Sequence, residues 1–282
     1  MALRRRVPVI VALLLVLASQ PAQAEEAEAA ERAELATAPD ENSSLPVLVM
    51  LIGGGARFRD IHLELGGDSG AETRSFETGA YFDFAWHLFL RPMSRRSPRA
   101  ALQAIVFQID GGSGIGLKAQ PSGTGIELET NAWRMVGQFG YLYPIDRLQV
   151  GGLVGVGGDV LSIDLNSVLP SMRIIYVRVG PAVAYEIVRG FLDFRADFGV
   201  RAPFYYGEVK DAFGSDASGV GLDGTVTFQG RIKVGFTYGA RFVWEYYRLR
   251  FRGPTQNVPA MGAGADGKDH ALTVQVLLGW SL

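Results

Sequence analysis

Apolar residues return at every second position through most of this chain, in runs far longer than the five or six residues of an ordinary soluble strand, and that period selects strands over helices. From Leu192 to Phe204, Leu192, Phe194, Ala196, Phe198, Val200, Ala202 and Phe204 share one face, while Asp193, Arg195, Asp197, Gly199 and Arg201 share the other. Between Phe76 and Leu90, Phe82, Phe84, Trp86, Leu88 and Leu90 oppose Glu77, Gly79, Tyr81, Asp83 and His87. Trp133, Met135, Phe139, Tyr141 and Tyr143 oppose Arg134, Gln138 and Gly140, and Ile175, Val177, Val179, Val183, Tyr185 and Ile187 oppose Tyr176, Arg178, Gly180, Ala184 and Glu186. A β-sandwich alternates too, with its charged face in water. Length and aromatic placement separate the two, since a membrane-crossing strand needs about 9 to 11 residues and such barrels carry aromatic girdles at both interfaces. Trp86, Tyr141, Tyr143, Phe204, Trp244, Tyr246 and Trp280, near segment ends, are the expected girdle.

Hydrocarbon offers an open sheet edge no hydrogen bonds, so strands of this kind must close on themselves. The expected fold is all-β, a closed antiparallel transmembrane β-barrel of ten strands over 47–59, 75–90, 102–117, 125–143, 147–162, 171–188, 191–206, 218–229, 231–252 and 270–282. Eight and twelve strands are the alternatives. Val47 to Ile52 is apolar on both faces, and the phase from Val220 to Tyr246 runs unbroken through Gln229-Gly230-Arg231, where a turn is needed because one strand of that span would measure about 90 Å. An even count leaves both termini on the periplasmic side, with short links at Pro144–Arg147 and Val188–Gly190 and longer ones at 60–74, 163–170, 206–218 and 253–269; the arginine- and proline-rich link 91–100 is long for its side.

Arg4, Arg5 and Arg6, the apolar run Val7–Ala18 and the Ala22-Gln23-Ala24 site have the order of a secretory signal, assigning 1–24 to a signal peptide, 25–46 to an acidic periplasmic tail and 47–282 to the barrel. Removing the signal takes three arginines and no acid, moving the formal charge from −2 to −5. The remaining arginines are dispersed, which argues against a nucleic-acid partner. The absence of cysteine excludes disulfides, thiolate metal sites and a thiol nucleophile. The 36 glycines include Gly53-Gly54-Gly55, Gly111-Gly112-Ser113-Gly114 and the run from Gly151 to Gly158, none of which has the Lys-Ser/Thr or strand-turn-helix setting of a nucleotide site. They read as turns, curvature points or small lumen residues, with Gly151, Gly155, Gly157, Gly235 and Gly239 facing inward.

The inward polar positions form the candidate lumen lining: Asp83, His87, Arg134, Arg178, Glu186, Asp193, Arg195, Asp197, Arg201, Lys233, Arg241 and Glu245. Alternating acids and bases there either form an ion-pair ladder that plugs a narrow barrel or line a small aqueous channel, and the ladder is the favoured reading. No catalytic residue, cofactor or metal site is assigned. His87 and Asp83 are about 13 Å apart along a strand, too far for a direct pair. The nearest approach to an enzymatic group is His62 with Asp60, Asp68 or Asp269 at the outer rim, where His62 and His270 approach one another across the closing seam.

The order of signal, tail, amphipathic strands and an outward Leu272, Val274, Val276, Leu278, Trp280 and Leu282 in the last strand resembles the bacterial outer-membrane β-barrel proteins as a broad class, porin-like and without a narrower family motif. That resemblance implies an outer-membrane location, contact with membrane lipid and lipopolysaccharide, and insertion by the barrel-assembly machinery. The final Leu282 departs from the aromatic residue usual at the end of the class. The expected role is structural, or passive passage of a small polar solute through a narrow charged lumen. The alternatives are an enzyme at the extracellular rim and an adhesion or lipid-binding barrel acting through loops such as 206–218 and 253–269.

Overall fold

The computed structural model describes residues 46–66, 72–94, 100–121, 127–164, 170–232, 235–253 and 264–282. The expected signal peptide, nearly all of the expected acidic tail, Asp68 and Lys233 lie outside the described residues. The elements in chain order are β1 (Leu48–Leu65), β2 (Glu72–Leu90), α1 (Ala100–Gln103), β3 (Ile105–Ile115), β4 (Lys118–Pro121), β5 (Leu128–Ile145), β6 (Leu148–Ile163), β7 (Met172–Val188), β8 (Leu192–Tyr205), α2 (Glu208–Phe213), β9 (Asp216–Arg231), β10 (Phe236–Arg252) and β11 (Ala265–Ser281).

Each long strand pairs antiparallel with its chain neighbour, and β1 closes the ring against β11. The short β4 continues β3. Both hold one register against β2, Phe82 opposite Ile115 and Phe76 opposite Pro121. Against β5 the register slips by one residue between Ser113–Trp133 and Lys118–Glu129. The slip falls at Gly116, whose φ of 66° is readily adopted only without a side chain, so β3 and β4 are one strand with a bulge and the barrel has ten strands. The first and last described residues lie at one end, the terminal end, where Val47 N–H donates to Leu282 O over 2.7 Å. This terminal end also carries the links 91–104, 146–147, 189–191 and 232–235; the opposite, loop end carries the other five.

The ten-strand expectation holds, with corrections to its edges. β1 runs to Leu65 and β11 begins at Ala265, because Ile61–Leu65 and Ala265–Asp269 pair with each other where loops were expected, and Asp60 pairs with His270. The turn expected at Gln229-Gly230-Arg231 lies at 232–235, where Gly235 has φ 86°; Gly235 is therefore a turn residue and not an inward strand position. Gly230 stays in β9, where a Cβ would come within 2.3 Å of the Tyr238 ring. Glu77, expected inward, is exposed on the outer face, and Phe76 and Thr78 are buried instead. The cause is a second bulge: Arg57 faces Tyr81 but Arg59 faces Thr78, so Gly79 and Ala80 together oppose Phe58 and the phase of β2 flips there.

The outer wall is apolar from the terminal end upward for a limited height. On β1 the outward residues from Leu48 to Phe58 are apolar or glycine, then Asp60, His62 and Glu64 follow; on β11 the outward Trp280, Leu278, Val276, Val274 and Leu272 give way to His270, Lys268 and Asp266. Leu48 to Phe58 covers about 34 Å of strand, or about 25 Å of height at the tilt usual for membrane barrels, which is the thickness of their apolar band. Above this belt the strands rise as a rim whose outer face is polar.

The interior is layered in the opposite sense. Inside the rim, Ile61, Leu63, Phe76, Leu161, Met172, Ile174, Leu249 and Phe251 form a buried apolar core, capped by Val209 and Phe213 of α2 and by Tyr206. Inside the belt lies a charged layer, and below it, toward the terminal end, Val49, Leu51, Ala85, Phe89, Val106, Leu142, Leu153 and Leu277 make a second apolar ring. That ring explains why Val47–Ile52 is apolar on both faces: Val49 and Leu51 point into it while Met50 and Ile52 face outward.

Candidate functional site: the charged lumen

Arg201, from β8, is the hub of the charged layer. Its guanidinium donates to Asp223 Oδ2 of β9 (2.5 Å), Asp159 Oδ2 of β6 (3.1 Å), Tyr247 OH (2.7 Å) and Glu245 Oε1 of β10 (2.8 Å), so one cation joins four strands. It also lies over the Tyr176 ring, 4.6 Å from its centroid. Tyr247 OH in turn donates to Asp159 (2.7 Å), and Arg57 Nη2 reaches Glu245 Oε2 at 2.6 Å. Arg178 Nε donates to both oxygens of Asp223 at 2.9 Å and its Nη2 also pairs with Asp197. Glycines make room for these large groups: a Cβ on Gly199 would sit 2.4 Å from Arg178 Nε, and one on Gly157 2.6 Å from the Tyr176 ring.

Two smaller groups adjoin the hub. Arg134 grips Asp83 through both Nη atoms (2.6 and 2.8 Å), and Gln275 Nε2 donates to the same carboxylate at 2.6 Å. Asp110 accepts from Arg241 Nη1 (2.5 Å), His87 Nδ1 (2.7 Å) and Gln108 Nε2 (2.5 Å). Nearer the rim, Arg59 holds Asp269 with contacts of 3.0 and 2.5 Å. These groups are buried, and each charge is matched inside the wall, the arrangement in which a buried ion pair costs least. What space remains in the lumen includes two voids of about 40 Å³ each, one against the apolar ring and one beside the hub.

The terminal end is different. Asp193 is taken by Arg231, and Glu186 Oε1 accepts from Gly190 N–H at 2.5 Å. Arg195 instead lies over the Phe89 ring, 4.2 Å from its centroid, and Arg91 lies 5.7 Å from the same centroid with Nη2 donating to Gln149 Oε1 at 2.6 Å. Burial first, and then the Arg195 and Arg231 guanidiniums, push Arg91, which lies just past β2, down to about 9.

Of the expected lining, Asp83, Arg178, Asp193, Arg201 and Glu245 are buried and His87, Arg134, Arg195, Asp197 and Arg241 half-buried, while Glu186 makes an exposed contact, and the pairing brings together residues that lie far apart in the chain. Arg57, Arg59, Asp110, Asp159, Asp223, Asp269 and Gln275 belong to the same network and were not expected there. Their signal was present, since Asp159 and Asp223 sit at inward phase in glycine-rich strands and Arg57 and Arg59 flank the outward Phe58. On the outside, Tyr141 stacks on Tyr143 and Trp244 on Tyr246, with centroids 6.3 and 6.4 Å apart, while Trp280 and Phe204 are exposed. Trp86 lies level with Ile52, within the belt, and covers Gly111.

At the rim, His62 Nε2 and Asp60 Oδ2 are 2.9 Å apart on the outward face of β1, both about two-fifths exposed. His270 is engaged by Trp244 Nε1 at 2.7 Å, and Asp269 points inward to Arg59. Among the described residues no group of three or more His, Cys, Asp or Glu is arranged to hold a metal ion.

The crystal structure of the outer membrane protease OmpT from Escherichia coli has the same architecture, with a TM-score of 0.51 at 9% identity, covering 87% of this chain and 100% of that one. The fold is that of an outer-membrane β-barrel. The COG4313 outer membrane channel from Pseudomonas putida F1 (TM-score 0.38, 9% identity, 86% and 99% covered) and OprG from Pseudomonas aeruginosa (TM-score 0.34, 8% identity, 84% and 98% covered) are also similar. No protein-family model matches the chain, and no curated protein matches it.

Proposed function

We propose that residues 1–24 export this chain, that 25–46 form a periplasmic tail, and that the barrel works in the outer membrane as a closed-lumen structural barrel in contact with lipopolysaccharide, inserted by the assembly machinery. The observation that carries the reading is the convergence of Asp223, Asp159, Glu245 and Tyr247 on Arg201, which fills the lumen at belt height between two apolar layers. A solute route would need mobile, water-facing charges, whereas these are matched and buried. In planar bilayers the native protein is expected to show no steady conductance, and the double variant Arg201→Ser, Asp223→Ser to conduct small ions. Steady conductance from the native protein overturns closure and returns the charged layer to the role of a small-solute lining.

A second reading, a hydrolase at the outward rim, has one observation behind it: the Asp60–His62 pair, with Ser75 opposite His62 in the β1–β2 register. It requires the native protein to release fatty acid from outer-membrane lipid and the Ser75→Ala variant to release none.

A further inference from the structure

The hub and the terminal end of the lumen differ in charge balance. Around Arg201 acids and bases match; among the described residues at the terminal end, Arg91, Arg195 and Arg231 meet one inward carboxylate, Asp193, which Arg231 holds. Of the other acids nearby, Glu186 accepts from the Gly190 amide and Asp146 lies exposed beside Arg189. The adjoining links bring no acid either, since 91–104 contains four arginines and no Asp or Glu, and 232–235 reads Ile-Lys-Val-Gly.

Among the described residues, the unsatisfied polar atoms at this end are nitrogen donors apart from the Ser94 hydroxyl, and one unsatisfied acceptor, Gln275 Oε1, lies level with Arg241. Arg91 Nε and Nη1, Arg231 Nε, Arg241 Nε and Gln229 Nε2 are buried without an acceptor, and both Arg91 and Gln229 are 1% exposed. Arg195, Arg241 and Gln229 line the void of about 40 Å³ beside Phe89, which has room for roughly three water molecules. Its one lining carboxylate, Asp197, is engaged by Arg178. Water would satisfy the donors and leave the cations uncompensated, and a buried uncompensated charge is strongly unfavourable. An acceptor carrying negative charge answers both.

We propose that the terminal end of the lumen is a binding site for one small oxyanion, of phosphate or carboxylate type, held by Arg195 and Gln229 Nε2 with Arg91 and Arg231 behind them. Arginine suits such a ligand because its planar fork matches two oxygens at once. The phenyl ring of Phe89 lies against both the Arg91 and the Arg195 guanidiniums. The proposal is independent of closure, since an anion can occupy this end whether or not the lumen conducts.

The test is thermal unfolding of the full mature chain in detergent, titrated with sodium phosphate or sodium acetate at constant ionic strength made up with sodium chloride. A saturable rise in Tm with either anion, at least tenfold weaker in Arg195→Gln and unchanged in the outer-face variant Arg248→Gln, supports the site. No saturable rise with either anion, or an equal rise in Arg195→Gln, overturns it. Should Arg195→Gln fail to fold, 31P line broadening of inorganic phosphate by the native protein, competed by acetate, gives the same decision: broadening that acetate reverses supports the site, and its absence removes it.

Discussion

The belt and the rim are built from the same strands with opposite polarity. On β10, Phe242, Trp244 and Tyr246 face out while Arg241 and Glu245 face in; one turn of the pleat later Arg248, Arg250 and Arg252 face out while Leu249 and Phe251 face in. The switch shows that the outer solvent sets the outer face first. In hydrocarbon an outward charge costs several kcal/mol, so the belt keeps its charges inside, where they must be matched to one another. In water the outward charges are cheap, and the inside is free to bury leucine and phenylalanine as a soluble barrel does. The belt is therefore held by paired charges and the rim by area removed from water.

The strongest way to break this contrast is to unpair the belt. Asp223→Ala leaves the Arg178 and Arg201 guanidiniums without their shared carboxylate, and the expected loss is about 4 kcal/mol by urea unfolding in detergent. Asp223→Asn keeps the shape and some acceptor capacity, so it should lose less. Equal stability of Asp223→Ala and the native protein would mean that the network is solvated and the belt is not held as described.

Phe251→Ala tests the rim. The ring is fully buried against Tyr206 and Phe213, with centroids 6.2 and 6.0 Å away, and its removal should cost about 3 kcal/mol. The loss should be local: amide exchange should quicken in Arg248–Arg252 and Ala265–Asp269 while β5–β8 within the belt keep their protection. Uniform loss of protection would show that rim and belt unfold as one unit.

Val276→Arg probes the belt from outside. Val276 is exposed and lies opposite Gly54, near the middle of the apolar span from Leu48 to Phe58. A guanidinium at that depth should cost about 3 kcal/mol in lipid vesicles, and noticeably less in detergent, where the headgroups reach it.

Much of this division was legible in the chain, and the parts that were not have physical causes. β8 alternates without interruption from Leu192 to Phe204 and its inward charges are where the pattern puts them. β2 does not, because the bulge at Gly79–Ala80 moves Glu77 outward, and a bulge leaves no mark in composition beyond its glycine. The turn at 232–235 hid because Arg231 pairs with Thr237: both are odd-numbered, so the alternation passes through the hairpin in phase. The inner-face charges could be read, but not their partners. Arg201 meets residues from β6, β9 and β10, and only closure of the wall brings those together. Arg91 lies past the end of β2, where alternation says nothing about direction, and Arg231 sits at the stretch the sequence reads as a turn.

The smallest effect is expected where the contrast predicts indifference. Lys268 lies on the outward face of the rim, over half exposed, with Glu64 at 3.7 Å as its partner. An exposed pair at that distance contributes little, and water replaces it, so Lys268→Ala should change stability by no more than about 0.5 kcal/mol. The same substitution type at Arg59, one step inward and facing Asp269, strips a buried carboxylate of its cation and should cost several times as much. Lys268 and Arg59 lie on adjacent strands of the closing seam, where Lys268 is level with His62 and Arg59 with Ala271, so they share the strand tilt, stand three residues apart in height and face opposite sides of the wall. If Lys268→Ala destabilises as much as Arg59→Ala, the rim's outer face is not bathed in water, and the belt must extend above Phe58 to enclose it.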